Sequence, residues 1–149
     1  MGSSRKARSI RSAAGQLLPV FDASARRDGY VRIEVSPHLA NDTQGTVAEA
    51  RRLWETLDLP NIMIKVPATA AGLDSLEELA ARGLTLNVTL VFTADQYEAA
   101  RDAVWKAMSD ESTAWAWPSL IVTFTPTMGA PMSVPSFRQA LNPLSQEGM

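Results

Sequence analysis

Lys65, near the end of an apolar segment at residues 61–69, is the side chain whose setting most directly indicates chemistry. The segment reads NIMIKVPAT, and its apolar run is bounded by Pro60 and Pro67; a hydrophobic run of this length is typical of a buried β-strand. Lysine is almost never fully buried without a partner, and a low-dielectric setting favours the neutral amine. Because a neutral amine is a nucleophile that can form a Schiff base with a carbonyl, we expect Lys65 to carry the chemistry.

Three further polar residues share the phase of Lys65 on the neighbouring predicted strands. Side chains alternate between the faces of a strand, so Glu34, Asn87 and Thr89 all lie opposite aliphatic faces. Active sites of parallel α/β folds lie at the C-terminal ends of the strands, where these residues occur. A polar row costs stability unless its members pair or act in a reaction. The pattern alone leaves two interpretations open: a catalytic site, or a buried Glu34–Lys65 ion pair with hydrogen-bonded Asn87 and Thr89.

The elements that must position this row alternate along the chain. Alternating or continuous apolar runs predict strands at residues 30–36, 61–66 and 85–92. Apolar residues at helical spacing predict helices at about residues 43–57, 71–82 and 94–108, with another over 10–21. A short strand is expected over residues 119–125. Strands that alternate with helices predict right-handed βαβ crossovers and a parallel sheet, which is an α/β fold.

Composition narrows the function classes. The chain has 149 residues, of which 46% are hydrophobic and 20% charged, which suits one domain with a packed core. A net charge of −2 argues against nucleic acid as a partner, and no apolar stretch approaches the length of a membrane span. With no cysteine and one histidine, thiolate and histidine-rich metal sites are excluded, so we expect no metal site.

Three regions differ in composition. Residues 1–16 are basic and are predicted to form a mobile N-terminus. Residues 17–108 contain the strand–helix units. Residues 109–149 are rich in proline, serine, threonine and methionine, which predicts an irregular tail.

Three of these segments closely resemble sequences of the transaldolase family. They are residues 28–37 (DGYVRIEVSP), 61–69 (NIMIKVPAT) and 86–92 (LNVTLVF), while residues 45–50 and 94–99 resemble the intervening and following helices. The resemblance extends over about residues 17–107, and the tail from residue 109 does not match the family. Three motifs in the right order and spacing make the resemblance specific.

The resemblance implies a TIM (β/α)8 barrel and a class I aldol transfer that needs neither a metal nor an organic cofactor. Lys65 would form a Schiff base with a ketose phosphate, such as fructose 6-phosphate or sedoheptulose 7-phosphate, and pass a dihydroxyacetone unit to an aldose phosphate. Glu34 and Thr89 match the residues that hold a catalytic water, and Asn87 matches a residue that hydrogen-bonds the substrate. The implied protein is a cytoplasmic transferase of the pentose phosphate pathway, with sugar phosphates as its partners.

About three βα units of a barrel are recognisable, whereas a complete barrel needs eight strands and about 250 residues. We therefore expect a partial barrel and an incomplete chain whose open edges are available for self-association. Arg32 replaces a small hydroxyl residue of the family and, if it faces inward, would pair with Glu34 or crowd the sugar. Two other interpretations remain: a non-catalytic transaldolase-like fragment, or another class I lysine aldolase, against which the Glu34, Asn87 and Thr89 matches argue.

Overall fold

Helices and strands alternate through the part of the chain that the structure describes. The computed structural model describes residues 2–109 and 120–124 of the 149. The helices are α1 (Gly2–Ala23), α2 (Thr43–Leu57), α3 (Ala70–Ala81) and α4 (Ala94–Met108), with a 3-10 helix at Pro37–Leu39. The strands are β1 (Val31–Glu34), β2 (Ile62–Pro67), β3 (Leu86–Val91) and β4 (Leu120–Phe124).

The four strands form one sheet in the order β1-β2-β3-β4, and every neighbouring pair is parallel. Each strand therefore lies beside the strand that precedes it in the chain. This sequential order is that of a (β/α)8 barrel, whereas a doubly wound sheet reverses its strand order at a switch point. The predicted α/β fold and partial barrel are confirmed, and the short strand expected over residues 119–125 is present as β4.

One hydrophobic core lies between the sheet and the helices. The helix-facing side chains of β1, β2 and β3 belong to a single cluster with apolar residues of the four helices: Ile33, Val35, Ile64, Val66, Val88, Ala14, Ala50, Leu53, Leu76, Leu79, Ala100 and Val104. Fully burying each large aliphatic side chain stabilises the fold by about 1.5–3 kcal/mol. Because a slip of one residue would turn these side chains away from the core, the core fixes which face of each strand carries the polar residues.

The helix starts are set by capping side chains at the C-terminal ends of the strands. Asp42 accepts a hydrogen bond from the Gly45 amide at 2.9 Å, so Asp42 is the N-cap of α2. An Asp at this position satisfies an amide that the first turn of the helix leaves unpaired. The predicted limits of α2 and α4, residues 43–57 and 94–108, are confirmed.

Helix α1 is longer than the sequence indicated. A helix was expected over residues 10–21, and the structure has one at Gly2–Ala23. Its Ala14 is fully buried, and the Asn61 side-chain amide donates to the Ala14 carbonyl at 2.8 Å and to the Gly29 carbonyl at 2.9 Å. The predicted boundary after residue 16 therefore falls inside a helix that packs against the sheet, while the mobility of residues 1–16 stays a prediction.

Two predictions concern other parts of the chain. The tail predicted over residues 109–149 lies outside the described residues, apart from residue 109 and β4. Within the described ranges, none of the helices is long and apolar enough to cross a membrane.

Candidate active site

Glu34, Lys65 and Asn87 form one row across three adjacent strands. Glu34 is opposite Lys65 in the β1–β2 register, and Lys65 is opposite Asn87 in the β2–β3 register. Neighbouring strands lie about 4.8 Å apart, so the three side chains start from backbone positions close enough to act on one small molecule. The structure thus brings three of the four predicted site residues into one row on the face opposite the hydrophobic core.

Lys65 and Glu34 form an ion pair in this row. The Lys65 Nζ lies 3.6 Å from a Glu34 carboxylate oxygen, and the two side chains are 31% and 47% exposed. The sequence pattern left open a buried Glu34–Lys65 ion pair; the pair is present, but it is partly exposed, although the other five residues of β2 are buried. A distance of 3.6 Å is longer than a hydrogen bond, so the pair restrains the amine only weakly. The amine is accessible to a substrate carbonyl while a carboxylate stands beside it.

Thr89 and Asn87 supply the buried polar groups of the site. Thr89 lies opposite Pro67 in the β2–β3 register, one layer beyond the row in the direction of the strand ends. Its side-chain oxygen is buried and has no hydrogen-bond partner in the described part of the chain. Asn87 is 1% exposed. Because a buried hydroxyl without a partner is costly, the Thr89 oxygen is suited to bind a water or a substrate hydroxyl.

Arg32 precedes the row on the same strand. It lies opposite Met63 and is exposed, and it forms no ion pair with a residue that the structure describes. Lys65 supplies the ion-pair partner that the structure shows for Glu34. The Arg32–Glu34 pair, one of the two roles suggested for Arg32, is therefore absent from the described residues.

The turn after β2 holds the lysine strand against α3. The Thr69 hydroxyl donates to the Ala40 carbonyl at 2.6 Å and accepts from the Gly72 amide at 3.1 Å. Thr69 is thus the N-cap of α3. A side chain at Gly72 would collide with the Pro67 carbonyl. Glycine is therefore needed for this close approach of the helix to the end of β2.

Strand β3 departs from the predicted alternation just after Thr89. The sequence placed Leu90 on the aliphatic face, but Leu90 has φ 58° and is 47% exposed, while Val91 is fully buried. The β3–β4 register contains an irregularity between Val88 and Val91, so β3 carries an extra residue there. A bulge of this kind re-aims side chains and is frequent next to active sites.

Two side chains that hold the strand ends were missed by sequence reasoning. A Glu49 carboxylate oxygen on α2 accepts from the Ser36 amide at 2.9 Å, just beyond β1. The Gln96 side-chain oxygen on α4 accepts from the Phe92 amide at 2.8 Å, just beyond β3. The spacing Thr93-x-x-Gln96 is a capping-box signal that could have indicated Gln96. No local pattern indicates Glu49, because its partner is 13 residues away in the chain.

A groove of about 840 Å³ opens between α1, α2 and the edge strand. It is lined by Arg8 and Arg11 of α1, Arg52 of α2 and the segment 33–37, which includes Glu34. Lys65 is not part of its lining. We place the candidate site at the lysine and not in this groove, because an amine, a carboxylate and a buried hydroxyl lie together on the face of the sheet opposite the hydrophobic core.

Comparison with known proteins assigns the chain to a family. Residues 6–128 match the family model described as Transaldolase/Fructose-6-phosphate aldolase. The match begins earlier and ends later than the resemblance that the sequence motifs indicated, and it includes β4.

Named relatives give the same result. The chain is 48% identical over 107 residues to a transaldolase of Thiobacillus denitrificans, which covers 72% of this chain and 30% of the relative. It is 52% identical over 94 residues to a transaldolase of a Parafrankia species, covering 63% of this chain and 26% of the relative. It is 50% identical over 94 residues to transaldolase 1 of Streptomyces avermitilis, covering 63% and 25%.

The chain spans less than a third of the length of these relatives. The family match nevertheless covers most of the chain and includes all three strands that carry the polar row. This chain belongs to the transaldolase/fructose-6-phosphate aldolase family.

Proposed function

We propose that this chain has transaldolase activity, in which Lys65 transfers a dihydroxyacetone unit from a ketose phosphate to an aldose phosphate. The donor is fructose 6-phosphate or sedoheptulose 7-phosphate. The single observation that carries the proposal is the row of Glu34, Lys65 and Asn87 on the face of the sheet opposite the hydrophobic core. Beside it lies the Thr89 hydroxyl, which has no hydrogen-bond partner among the described residues.

The proposed reaction begins at the Lys65 amine. The amine adds to the C2 carbonyl of the donor and, with loss of one water, forms an iminium. The iminium accepts the electron pair of the C3–C4 bond as that bond breaks, and the C4 hydroxyl loses its proton as the aldose is released. The resulting enamine attacks the aldehyde carbon of the acceptor, and hydrolysis of the new iminium returns the free amine and the product.

Glu34 and Thr89 have a proton-transfer role in this scheme. Formation and hydrolysis of the iminium each move protons between nitrogen, oxygen and water. A water held between the Glu34 carboxylate and the Thr89 hydroxyl would serve these steps, and general acid–base catalysis of this kind typically contributes about 10²–10⁴-fold. Asn87 would hydrogen-bond a substrate hydroxyl.

The wider setting of the activity is part of the same proposal. The reaction belongs to the pentose phosphate pathway in the cytoplasm and uses no cofactor. Sugar phosphates are the partners, and nucleic acid and membranes are not. Among the described residues, β1 pairs with a single strand, so a second copy of the chain could associate at its other edge.

Borohydride trapping tests the proposal. The chain contains three lysines, Lys6, Lys65 and Lys106, so the site of an adduct is easily assigned by peptide mass mapping. With millimolar fructose 6-phosphate and borohydride we expect one reduced three- or six-carbon adduct on Lys65. It should be lost in Lys65→Ala and kept in Lys106→Ala, since Lys106 is an exposed lysine paired with Glu77 on the helix layer.

The other outcomes identify the alternative functions. No adduct on Lys65 at millimolar substrate would overturn the catalytic proposal and favour a non-catalytic member of the family. An adduct that releases dihydroxyacetone but does not pass it to erythrose 4-phosphate would favour a lysine aldolase over a transaldolase.

A further inference from the structure

Strand β3 becomes irregular at the point where it must present Thr89. The bulge between Val88 and Val91 and the left-handed backbone of Leu90 interrupt the regular sheet immediately after the site residue. A leucine in this region of backbone space persists only when the surrounding structure holds it there. The end of β3 therefore needs contacts other than the sheet ladder.

The Gln96 side chain provides such contacts just beyond the C-terminal end of β3. Its oxygen accepts from the Phe92 amide at 2.8 Å and from the Thr93 amide at 3.2 Å. These amides lie two and three residues after Leu90 in the chain. The bond from the Thr93 amide is half of a capping box. The other half is the bond from the Gln96 backbone amide to the Thr93 hydroxyl oxygen, at 3.2 Å.

The same side chain also reaches the strand that carries Lys65. The Gln96 side-chain nitrogen donates to the Ala68 carbonyl at 2.9 Å, 28 residues away in the chain. The Ala68 amide in turn donates to the Thr89 carbonyl at 2.8 Å. Ala68 is thus bonded to β3 through its amide and to α4 through its carbonyl. A capping box requires only the acceptor oxygen of Gln96, so the bond to Ala68 is additional to helix capping.

We propose that Gln96 is a positioning residue that holds the ends of the Lys65 and Thr89 strands together for the reaction, an inference that rests on the proposed function. Gln96 does not belong to the polar row and acts through the backbone of Ala68, Phe92 and Thr93. Displacement of a reacting group by about 1 Å can cost on the order of 10²-fold in rate, so a bond between two strand ends can control the reaction from outside the site.

Gln96→Glu separates positioning from capping. Glutamate at this position keeps the acceptor oxygens for the capping box, but it has no N–H group and places a carboxylate against the Ala68 carbonyl. We expect the limiting rate of borohydride-trapped adduct formation to fall about tenfold or more, with the half-saturating donor concentration changing much less. Gln44→Glu is the matched control, because it replaces the same amide by a carboxylate at an exposed position. Gln44 lies in the first turn of α2.

Hydrogen exchange of the Ala68 amide gives a second readout that does not depend on activity. We expect this amide to exchange about tenfold or more faster in Gln96→Glu and at an unchanged rate in Gln44→Glu. A purely structural role in helix capping would leave both the adduct rate and the Ala68 exchange unchanged in Gln96→Glu, and that result would overturn the inference. Faster exchange with an unchanged adduct rate would also overturn it, since the contact would then not serve the reaction.

Failure of the proposed function gives a different result. If the unmodified chain forms no adduct on Lys65, the proposed function fails and the catalytic role of Gln96 fails with it. The Ala68 exchange rates would still show whether Gln96 joins the two strand ends.

Discussion

Strands β1 and β2 supply the two charges of the site but are held very differently. Strand β2 lies between two strand partners, and five of its six residues are buried, Lys65 being the exception. Strand β1 is at the edge of the sheet, and only Ile33 of its four residues is buried. Lys65 thus stands on a largely buried strand, and its carboxylate partner Glu34 stands on a strand that, among the described residues, pairs on one side only.

Side-chain contacts partly offset the weaker hold on β1. The Glu49 carboxylate binds the Ser36 amide just beyond β1, and Gln96 binds the carbonyl of Ala68 just beyond β2. In both cases a helix that follows a strand sends a polar side chain back to a strand end. Both strand ends thus have a polar contact, and the two strands differ in burial: β2 is largely buried, whereas β1 relies more on its contact with Glu49.

The largest expected effect is on stability, and it compares a core position of β2 with an edge position of β1. Ile64→Ala removes a fully buried side chain and should lower the free energy of unfolding by about 2–5 kcal/mol. Val31→Ala removes a side chain that is only partly buried, so we expect a loss of about 1 kcal/mol. Urea denaturation of the two variants measures the difference, and equal losses would show that β1 is held as firmly as β2.

A smaller effect is expected from the contact that holds the end of β1. Glu49→Ala leaves the Ser36 amide without its partner and should cost about 1 kcal/mol. Amide exchange should become faster at Ser36 and along β1, while the amides of β2 around Lys65 stay protected.

Glu55→Ala is the matched control for this prediction. Glu55 is on the same helix but is 67% exposed and forms only a 3.7 Å surface pair with Arg51. We expect no change in exchange at β1 in this variant. Faster exchange spread evenly over β1 and β2 in Glu49→Ala would contradict a local role for Glu49.

Strand alternation and helical spacing were enough to predict most of the fold and the face on which the site lies. The aliphatic residues of β1, β2 and the first half of β3 form the core, and this places Glu34, Lys65 and Asn87 in one row. The predicted limits of α4 are confirmed because a capping box begins the helix at Thr93. These features follow from local patterns that only one structure satisfies.

The remaining features depend on contacts between distant residues. Leu90 has the residue type of a core position, but the bulge turns it outward, and strand alternation contains no sign of the extra residue. Lys65 lies in the middle of an apolar run, yet it is the residue of β2 that is not buried, and the neighbouring residue types do not specify this exposure. The bond from Gln96 to Ala68 joins groups 28 residues apart, so only the packing of α4 on the sheet reveals it.

The smallest expected effect on stability is that of replacing the Glu34 carboxylate. Because stability should hardly change, a loss of rate in this variant reports on the chemistry. The Glu34–Lys65 pair is 3.6 Å long and partly exposed, so Glu34→Gln should change the free energy of unfolding by less than about 1 kcal/mol. If Glu34 transfers protons in the proposed reaction, the same change should slow adduct formation on Lys65 by about 10²–10⁴-fold.

Glu77→Gln is the matched control, because Glu77 also pairs with a lysine, Lys106, and is 45% exposed against 47% for Glu34. The two variants should have nearly the same stability, so a loss of rate confined to Glu34→Gln cannot come from unfolding. An unchanged adduct rate in Glu34→Gln would show that the carboxylate on the edge strand only pairs with the lysine. The site would then depend on the firmly held strands β2 and β3 alone.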